Sequence, residues 1–335
     1  MAAYLFQRLL SLIVVLFFVV TITFFLIRAA PGSPFDRERK IPQHIEQKLL
    51  EKYKLDGTEG RQFGERLADR IGFSAVWKQR CGGAFSLAQQ YVEYLADLLR
   101  GDLRLSTRYR NRSVNEILAQ TLPVSLALGA LSFCLATVGG VWLGTLAATH
   151  KNTWIDTAAM LLALFSISIP TFVIGPVFIL LFALNLGSFL PPGGWGSFKH
   201  LVMPSITLAL PYVAYIARLM RSSMLETISE DFIRTARAKG LNEKQVVYKH
   251  ALKVAILPVI SFLGPLAANL LTGSIVVESI FNIPGAGGFF IHSILNRDGF
   301  LLGGVVMVYC TLLVSFNFVV DVGYTVLDKR IKLYG

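Results

Sequence analysis

Few side chains in this sequence could do chemistry on a substrate, and their spacing shows which chemistries are absent. There is no Gly-Lys dipeptide, hence no glycine-rich phosphate loop ending in Lys-Ser/Thr. Neither H-E-x-x-H nor G-x-S-x-G occurs. The histidines (His44, His150, His200, His250 and His292) lie scattered, which argues against a metal centre. Of the cysteines, Cys134 and Cys310 sit inside apolar runs and Cys81 outside them, with no CxxC spacing, so they read as packing residues plus one free thiol. No catalytic residue, bound cofactor or metal site is therefore expected in this chain. What remains is polar side chains in apolar surroundings. Asn269, Thr272 and Glu278 lie on one apolar run or at its end, and Asn317 and Asp321 lie on another. Polar groups at membrane depth are functional candidates by default. Asn269, Thr272, Glu278 and Asn317 are thus candidate pathway residues. Glu278 and Asp321 fall near run ends, where interface hydration or a bond to a neighbouring element is an alternative.

Those runs dominate the chain. Of 335 residues, 54% are hydrophobic and 16% charged, against roughly 25% charged in soluble domains. Uncharged runs cover Leu9–Ile27, Leu122–Thr149, Thr157–Leu186, Leu201–Ala217, Val254–Val277 and Leu301–Val320. A bilayer span needs about 20 mainly apolar residues, so six transmembrane helices are expected. This composition excludes a soluble globular enzyme, a disulfide-rich secreted module and a disordered tail. The first run is 19 residues long after a single Arg8, longer than the roughly 7–15 of a signal peptide core, and no A-x-A site follows it. A retained signal-anchor is the better reading.

The net charge of +11 would suggest nucleic acid in a soluble protein, but its distribution suggests topology. Sixteen of the 32 Lys+Arg lie between Asp36 and Ile117, a long loop of the kind largely exempt from the positive-inside rule. Among the short connections, thirteen basic residues fall at Arg8, Lys151, the stretch Arg218–Lys253 and the C-terminal Lys329, Arg330 and Lys332. The alternate connections carry Lys199 and Arg297. Both termini, the turn at 150 and the 220–253 loop are therefore expected in the cytoplasm, with the long loop outside and no nucleic-acid partner.

Three parts follow: a cytoplasmic N-terminus and first span over 1–29, an external loop domain over 30–119, and a five-helix core over 120–335. Within the loop domain, Ile45, Leu49, Leu50 and Tyr53 recur at helical spacing, as do Leu87, Tyr91, Leu95 and Leu98. Phe73–Phe85 between them has no clear period, and Gly101-Asp102 should end the second helix. The second span should open at Pro123. Gly140 and Gly144, one helical turn apart, permit another helix to approach closely, although simple anchoring with incidental glycines is also open. Pro170 and Pro176 should kink the third span. Pro191-Pro192-Gly193-Gly194-Trp195-Gly196 cannot sustain a helix and suits an outer turn.

The 220–253 loop is the most informative stretch. Gly240 suits the left-handed position that closes a helix. Asn242 can cap the next helix, with Gln245 three residues on as in a capping box and Leu241 and Val246 at the staple positions. Two short helices meeting at a defined corner are expected.

That loop resembles the EAA loop of ABC-importer permeases, in the peptide branch: Arg234-Thr235-Ala236-Arg237-Ala238-Lys239-Gly240, followed after fifteen residues by Ile256-Leu257-Pro258. Ala30–Phe35, Leu122-Pro123-Val124-Ser125, the turn at 191–196, Ile283-Pro284-Gly285, Asp321-Val322-Gly323-Tyr324 and Leu327-Asp328 are similar to the oligopeptide-type ABC importer permeases. Arg234 replaces the Glu of the generic motif, and the interval to Ile256 is longer, as in the peptide/nickel branch. Phe73–Phe85 looks like an insertion. The resemblance implies an all-α membrane protein with six transmembrane helices and a partly helical periplasmic insertion. It implies a translocation subunit of an oligopeptide importer in a bacterial inner membrane. The implied partners are a second homologous permease subunit, two cytoplasmic ATPase subunits that bind ATP and Mg, a periplasmic or lipid-anchored peptide-binding protein, peptide cargo and lipid. Arg234, Thr235, Ala236, Arg237, Ala238, Lys239, Gly240, Leu241 and Asn242 would form the ATPase-coupling loop, docking through small residues (Ala236, Ala238, Gly240) and cations (Arg234, Arg237, Lys239). A dipeptide, nickel or other small-solute importer of the same branch is an alternative. So is an ion-coupled secondary transporter, which would favour a midplane ion site and inverted repeats; no clear repeat is present.

Overall fold

The computed structural model describes residues 2–29, 48, 52, 58–71, 75–109, 111–185, 189–271 and 273–327. In chain order the described helices are α1 (Ala2–Ala29), α2 (Thr58–Ile71), α3 (Ala75–Leu99), α4 (Val114–Thr149), α5 (Trp154–Ser168), α6 (Thr171–Phe178), α7 (Phe198–Ile228), α8 (Asp231–Ala238), α9 (Glu243–Gln245), α10 (Leu252–Ala255), α11 (Leu257–Leu271), α12 (Ile275–Ile280), α13 (Ala286–Leu295) and α14 (Gly299–Leu327). Two π-helical stretches, Ile179–Asn185 and Val246–Ala251, continue α6 and join α9 to α10. Among the described residues no strand occurs, only an isolated bridge between Leu105 and Ser113.

The described residues of the six apolar runs fall largely on helix. Four stretches, Val114–Thr149, Phe198–Ile228, Leu257–Ile280 and Gly299–Val319, are each long and apolar enough to cross a membrane. The described apolar part of α1 is Leu10–Leu26. The remaining run is broken: α5 and the α6 segment Thr171–Asn185 meet at 103°. The cause is local. Pro170 forces its predecessor out of the helical region, so Ile169 is extended (φ −93°, ψ 119°) and Pro170 begins the next helix. Pro176 lies inside α6 without ending it. The pair is a broken span or a re-entrant loop rather than one kinked helix.

Two other boundaries differ from expectation. The Phe73–Phe85 stretch, aperiodic in sequence, is helical from Ala75 because α3 starts there and runs unbroken to Leu99. Gly101 then closes it at φ 77°, as expected. Pro123 does not open a helix: α4 begins nine residues earlier, at Val114. Ser113 and Glu116 form a reciprocal capping box there, the Glu116 N–H donating to Ser113 Oγ (3.1 Å) and the Ser113 N–H to Glu116 Oε2 (3.3 Å).

The chain divides into two compact units. One comprises Met1–Val15, Gln120–Gly288 and Val308–Gly335; the other comprises Leu16–Ala119 and Phe289–Met307. In the first, α4 lies against α7 through the glycines singled out in the sequence. A Cβ on Gly140 would sit 2.5 Å from Ile216 Cβ, and one on Gly144 2.7 Å from Met220 Cβ. Leu128, Met203, Met220, Met224 and Leu266 fill the core. Asp156 at the start of α5 receives both Nε and Nη2 of Arg221 on α7 (2.6 and 2.7 Å) and the Asn152 N–H (3.0 Å), fixing the turn at 150. In the second unit, Phe24 is buried between Tyr91 and Tyr94, and Arg104 donates to Asp97 (2.8 Å) between the rings of Tyr94 and Phe300. Asp298 accepts from Ser106 Oγ and caps α14 through the Leu301 N–H (3.2 Å).

Candidate functional site

The corner between α7 and α11 is built as its sequence implies. Gly240 takes φ 80°, a conformation that strains residues with a Cβ. Its N–H closes α8 on the Arg237 carbonyl (2.9 Å). Asn242 Oδ1 accepts the Gln245 N–H at 2.8 Å, capping α9. An ion pair that the sequence reading did not anticipate bridges the corner. Arg237 donates through Nη2 and Nε to Glu243 Oε1 and Oε2 (2.6 and 3.2 Å). That hydrogen bonding holds the Glu243 carboxyl below, and the Arg237 guanidinium above, their ordinary values. Both side chains are substantially exposed (40% and 63%), so the pair sets geometry more than stability, contributing about 0–1 kcal/mol.

The corner has two faces. Ile233 and Ala236 on α8 are buried, as are Val246, Val247 and Ala251 on the π-helical stretch. This corrects the expectation that Ala236 is a docking residue: three positions after Ile233, it shares that residue's inward face and closes the corner onto its own chain. The outward face carries Arg234, Thr235, Arg237, Ala238, Lys239 and Gly240. It also carries Phe232, 43% exposed, which the motif-based reading passed over. An aromatic residue one before a buried Ile on a short helix was the available signal. Among the described residues Arg234 pairs with Asp231 of its own helix (3.3 Å), both largely exposed. Leu241 packs beside the core and Asn242 begins α9.

The membrane candidates separate. Asn269 is exposed on α11 and donates to Tyr212 Oη on α7 (3.0 Å). Asn317 is half-buried on α14. Thr272 and the Asp321 side chain lie outside the described residues. Glu278 is 2% exposed and enclosed by its own unit. Its Oε1 accepts from Ser125 Oγ on α4 (2.7 Å) and its Oε2 from the Gly287 N–H (3.0 Å). Ser125 Oγ in turn accepts the Ala286 N–H (2.8 Å). Three glycines crowd the carboxyl, since a Cβ on Gly273, Gly285 or Gly287 would collide with it.

Residues 140–333 match the family of binding-protein-dependent transport system inner membrane components. The chain belongs to this family. Along almost its whole length it is 39% identical over 334 residues to the oligopeptide transport system permease protein OppB of Haemophilus influenzae, covering 99% of this chain and 100% of that protein. The same identity and coverage hold for OppB of Escherichia coli K12. Identity is 38% over 334 residues to the dipeptide transport system permease protein DppB of Bacillus subtilis, covering 100% of this chain and 99% of that one. A chain of the inward-facing MetNI methionine ABC transporter superposes with TM-score 0.54 at 18% identity, over 63% of this chain and 96% of that one. A second crystal form gives 0.52. The fold is therefore that of an ABC-transporter permease, all-α and membrane-embedded, and this chain is a multi-pass inner membrane permease subunit rather than a soluble enzyme.

Proposed function

We propose that this chain forms part of the translocation pathway of an ATP-driven importer for oligopeptides. The observation that carries the cargo class is the full-length similarity to OppB. The corner supports the mode of action. In this reading α8 and its outward face dock on a cytoplasmic ATPase subunit, Phe232 filling an apolar depression while Arg234 and Lys239 fix register. Charges of that kind raise association rate and specificity more than affinity. The Gly240 turn, the Asn242 cap and the Arg237–Glu243 pair make the corner stiff enough to pass displacement into α11. ATP and Mg are held by two ATPase partners, a second permease of the same family completes the pathway, and an external binding protein delivers peptide. The basic asymmetry supports both termini and the corner facing the cytoplasm, with Asp36–Ile117 outside. Of the membrane-depth residues, Asn269 and Asn317 remain candidates for contact with cargo.

A dipeptide cargo is the second reading, favoured by the similarity to DppB. Expression with its partner subunits in lipid vesicles, followed by ATP-dependent uptake of labelled peptides of graded length, tests both. Uptake of peptides of four or more residues supports the first reading, and uptake restricted to dipeptides the second. Absence of ATP-dependent uptake contradicts both.

A further inference from the structure

Glu278 plays no part in the corner, yet among the described membrane-depth candidates it has the most constrained surroundings. The carboxyl draws together segments far apart in sequence. Ser125 comes from α4, 153 residues away. Gly287 comes from the first turn of α13. Gly273 lies between α11 and α12, and Glu278 itself belongs to α12. The backbone closes the same knot: the Ile283 N–H donates to the Glu278 carbonyl (2.8 Å), and Ser274 caps α12 at the Val277 N–H (3.3 Å). The turn at 191–196 is fastened to the residues that follow, the Gly194 N–H donating to the Phe281 carbonyl at 2.7 Å, with Gly193 pressed against that same carbonyl. The knot thus joins the start of the second apolar run, the turn before the fourth and the end of the fifth. At 2% exposure the carboxyl takes its hydrogen-bond partners from within the protein, and the surrounding glycines leave no room for a side chain.

We propose that Glu278 is a positioning residue for transport. It clasps the external ends of these spans into one rigid body, so that motion entering at the corner reaches the outer mouth of the pathway instead of dissipating in loose loops. This rests on the importer reading given above. The knot itself neither binds cargo nor touches nucleotide; it acts through the segments it holds.

The neighbouring glycines supply the test. A Cβ at Gly287 would lie 2.8 Å from Glu278 Oε2 and 3.0 Å from the Ile275 nitrogen, whereas one at Gly288 meets nothing within 4 Å. In the complete complex in lipid vesicles, Gly287→Ala is expected to lower peptide uptake and cargo-stimulated ATP hydrolysis by about tenfold, in keeping with forced overpacking. Complex yield and unstimulated hydrolysis should stay within about twofold, and Gly288→Ala should match the parent in every readout. Glu278→Gln, which keeps the volume and removes one acceptor, is expected to show the same split to a smaller degree. Parental uptake by Gly287→Ala would overturn the proposal. So would a parallel fall of yield, unstimulated and stimulated hydrolysis, the mark of a merely structural role. Absence of cargo-stimulated hydrolysis in the unaltered complex would sink the importer reading itself, a result distinct from either.

Discussion

The corner at Gly240 and the knot at Glu278 sit at either end of α11 in the chain, and they are built on opposite principles. The corner is local. Its cap and ion pair connect residues three and six apart in sequence, its charges are exposed, and its stiffness comes from backbone geometry. The knot is non-local. Its side chain is enclosed and its main partner is 153 residues away. An exposed corner can be docked on and released. An enclosed knot cannot exchange partners without breaking the core. Between them, α11 spans 15 residues, roughly 22 Å at 1.5 Å per residue, with a buried face that includes Val259, Leu266 and Leu270. Under the proposed function, that contrast would make α11 a lever with a dockable end and a fixed end.

The contrast can be broken most severely on the fixed side. Gly285→Val would drive a branched side chain into the Glu278 carboxyl. Such overpacking costs about 1–3 kcal/mol or more, and the purified chain should show a markedly lower unfolding temperature. An unchanged midpoint would mean that the knot is looser than its geometry shows. At the corner, Ile233→Ala should cost about 2–4 kcal/mol by opening a cavity beneath α8, read as increased proteolysis at residues 229–245.

These two regions also show what a sequence can disclose. Gly240, Asn242 and Gln245 announce the corner because capping chemistry acts over three or four residues and leaves its mark in residue order. The one-turn spacing of Gly140 and Gly144 permitted a close helix approach but left simple anchoring equally open and named no partner; α7 proves to be the helix that uses it. Glu278 was legible only as an acid near the end of an apolar run. Nothing in its neighbourhood names Ser125, and a long-range hydrogen bond leaves no periodic trace. The burial of Ala236 was obscured differently: the motif marks the residue as small, and smallness suits an internal contact as well as an external one. The early start of α4 was written in Ser113 and Glu116, but the apolar run drew attention to Pro123. The 103° break required knowing that Ile169 would yield to Pro170 rather than the helix bend around it.

Smaller effects sharpen the comparison. Gly240→Val should strain the left-handed position by about 1–2 kcal/mol, leaving membrane insertion intact while reducing uptake; wild-type uptake would show that the turn need not be held. The Arg237–Glu243 pair should be the mildest lever. Because the Glu243 carboxyl is held below its ordinary value, the pair's contribution is present above the ordinary glutamate pKa of about 4.3 and disappears as pH falls through the depressed one. Its loss in Glu243→Gln should cost no more than about 1 kcal/mol and diminish further at high salt. Amide exchange across residues 237–245, compared at neutral and acid pH with and without the substitution, reads this directly. An effect of equal size at both pH values would assign the stiffness to the backbone alone.

The most direct measurement replaces two residues on opposite faces of α8 and follows cargo-stimulated ATP hydrolysis by the purified complex. Ala238 faces outward and Ala236 inward. Ala238→Trp should leave the fold of this chain intact, as judged by its unfolding temperature, and abolish stimulated hydrolysis by blocking the partner. Ala236→Trp should lower the unfolding temperature first. If Ala238→Trp leaves both association with the ATPase subunits and stimulated hydrolysis at parental levels, the outward face of the corner is not where ATP hydrolysis is coupled to transport.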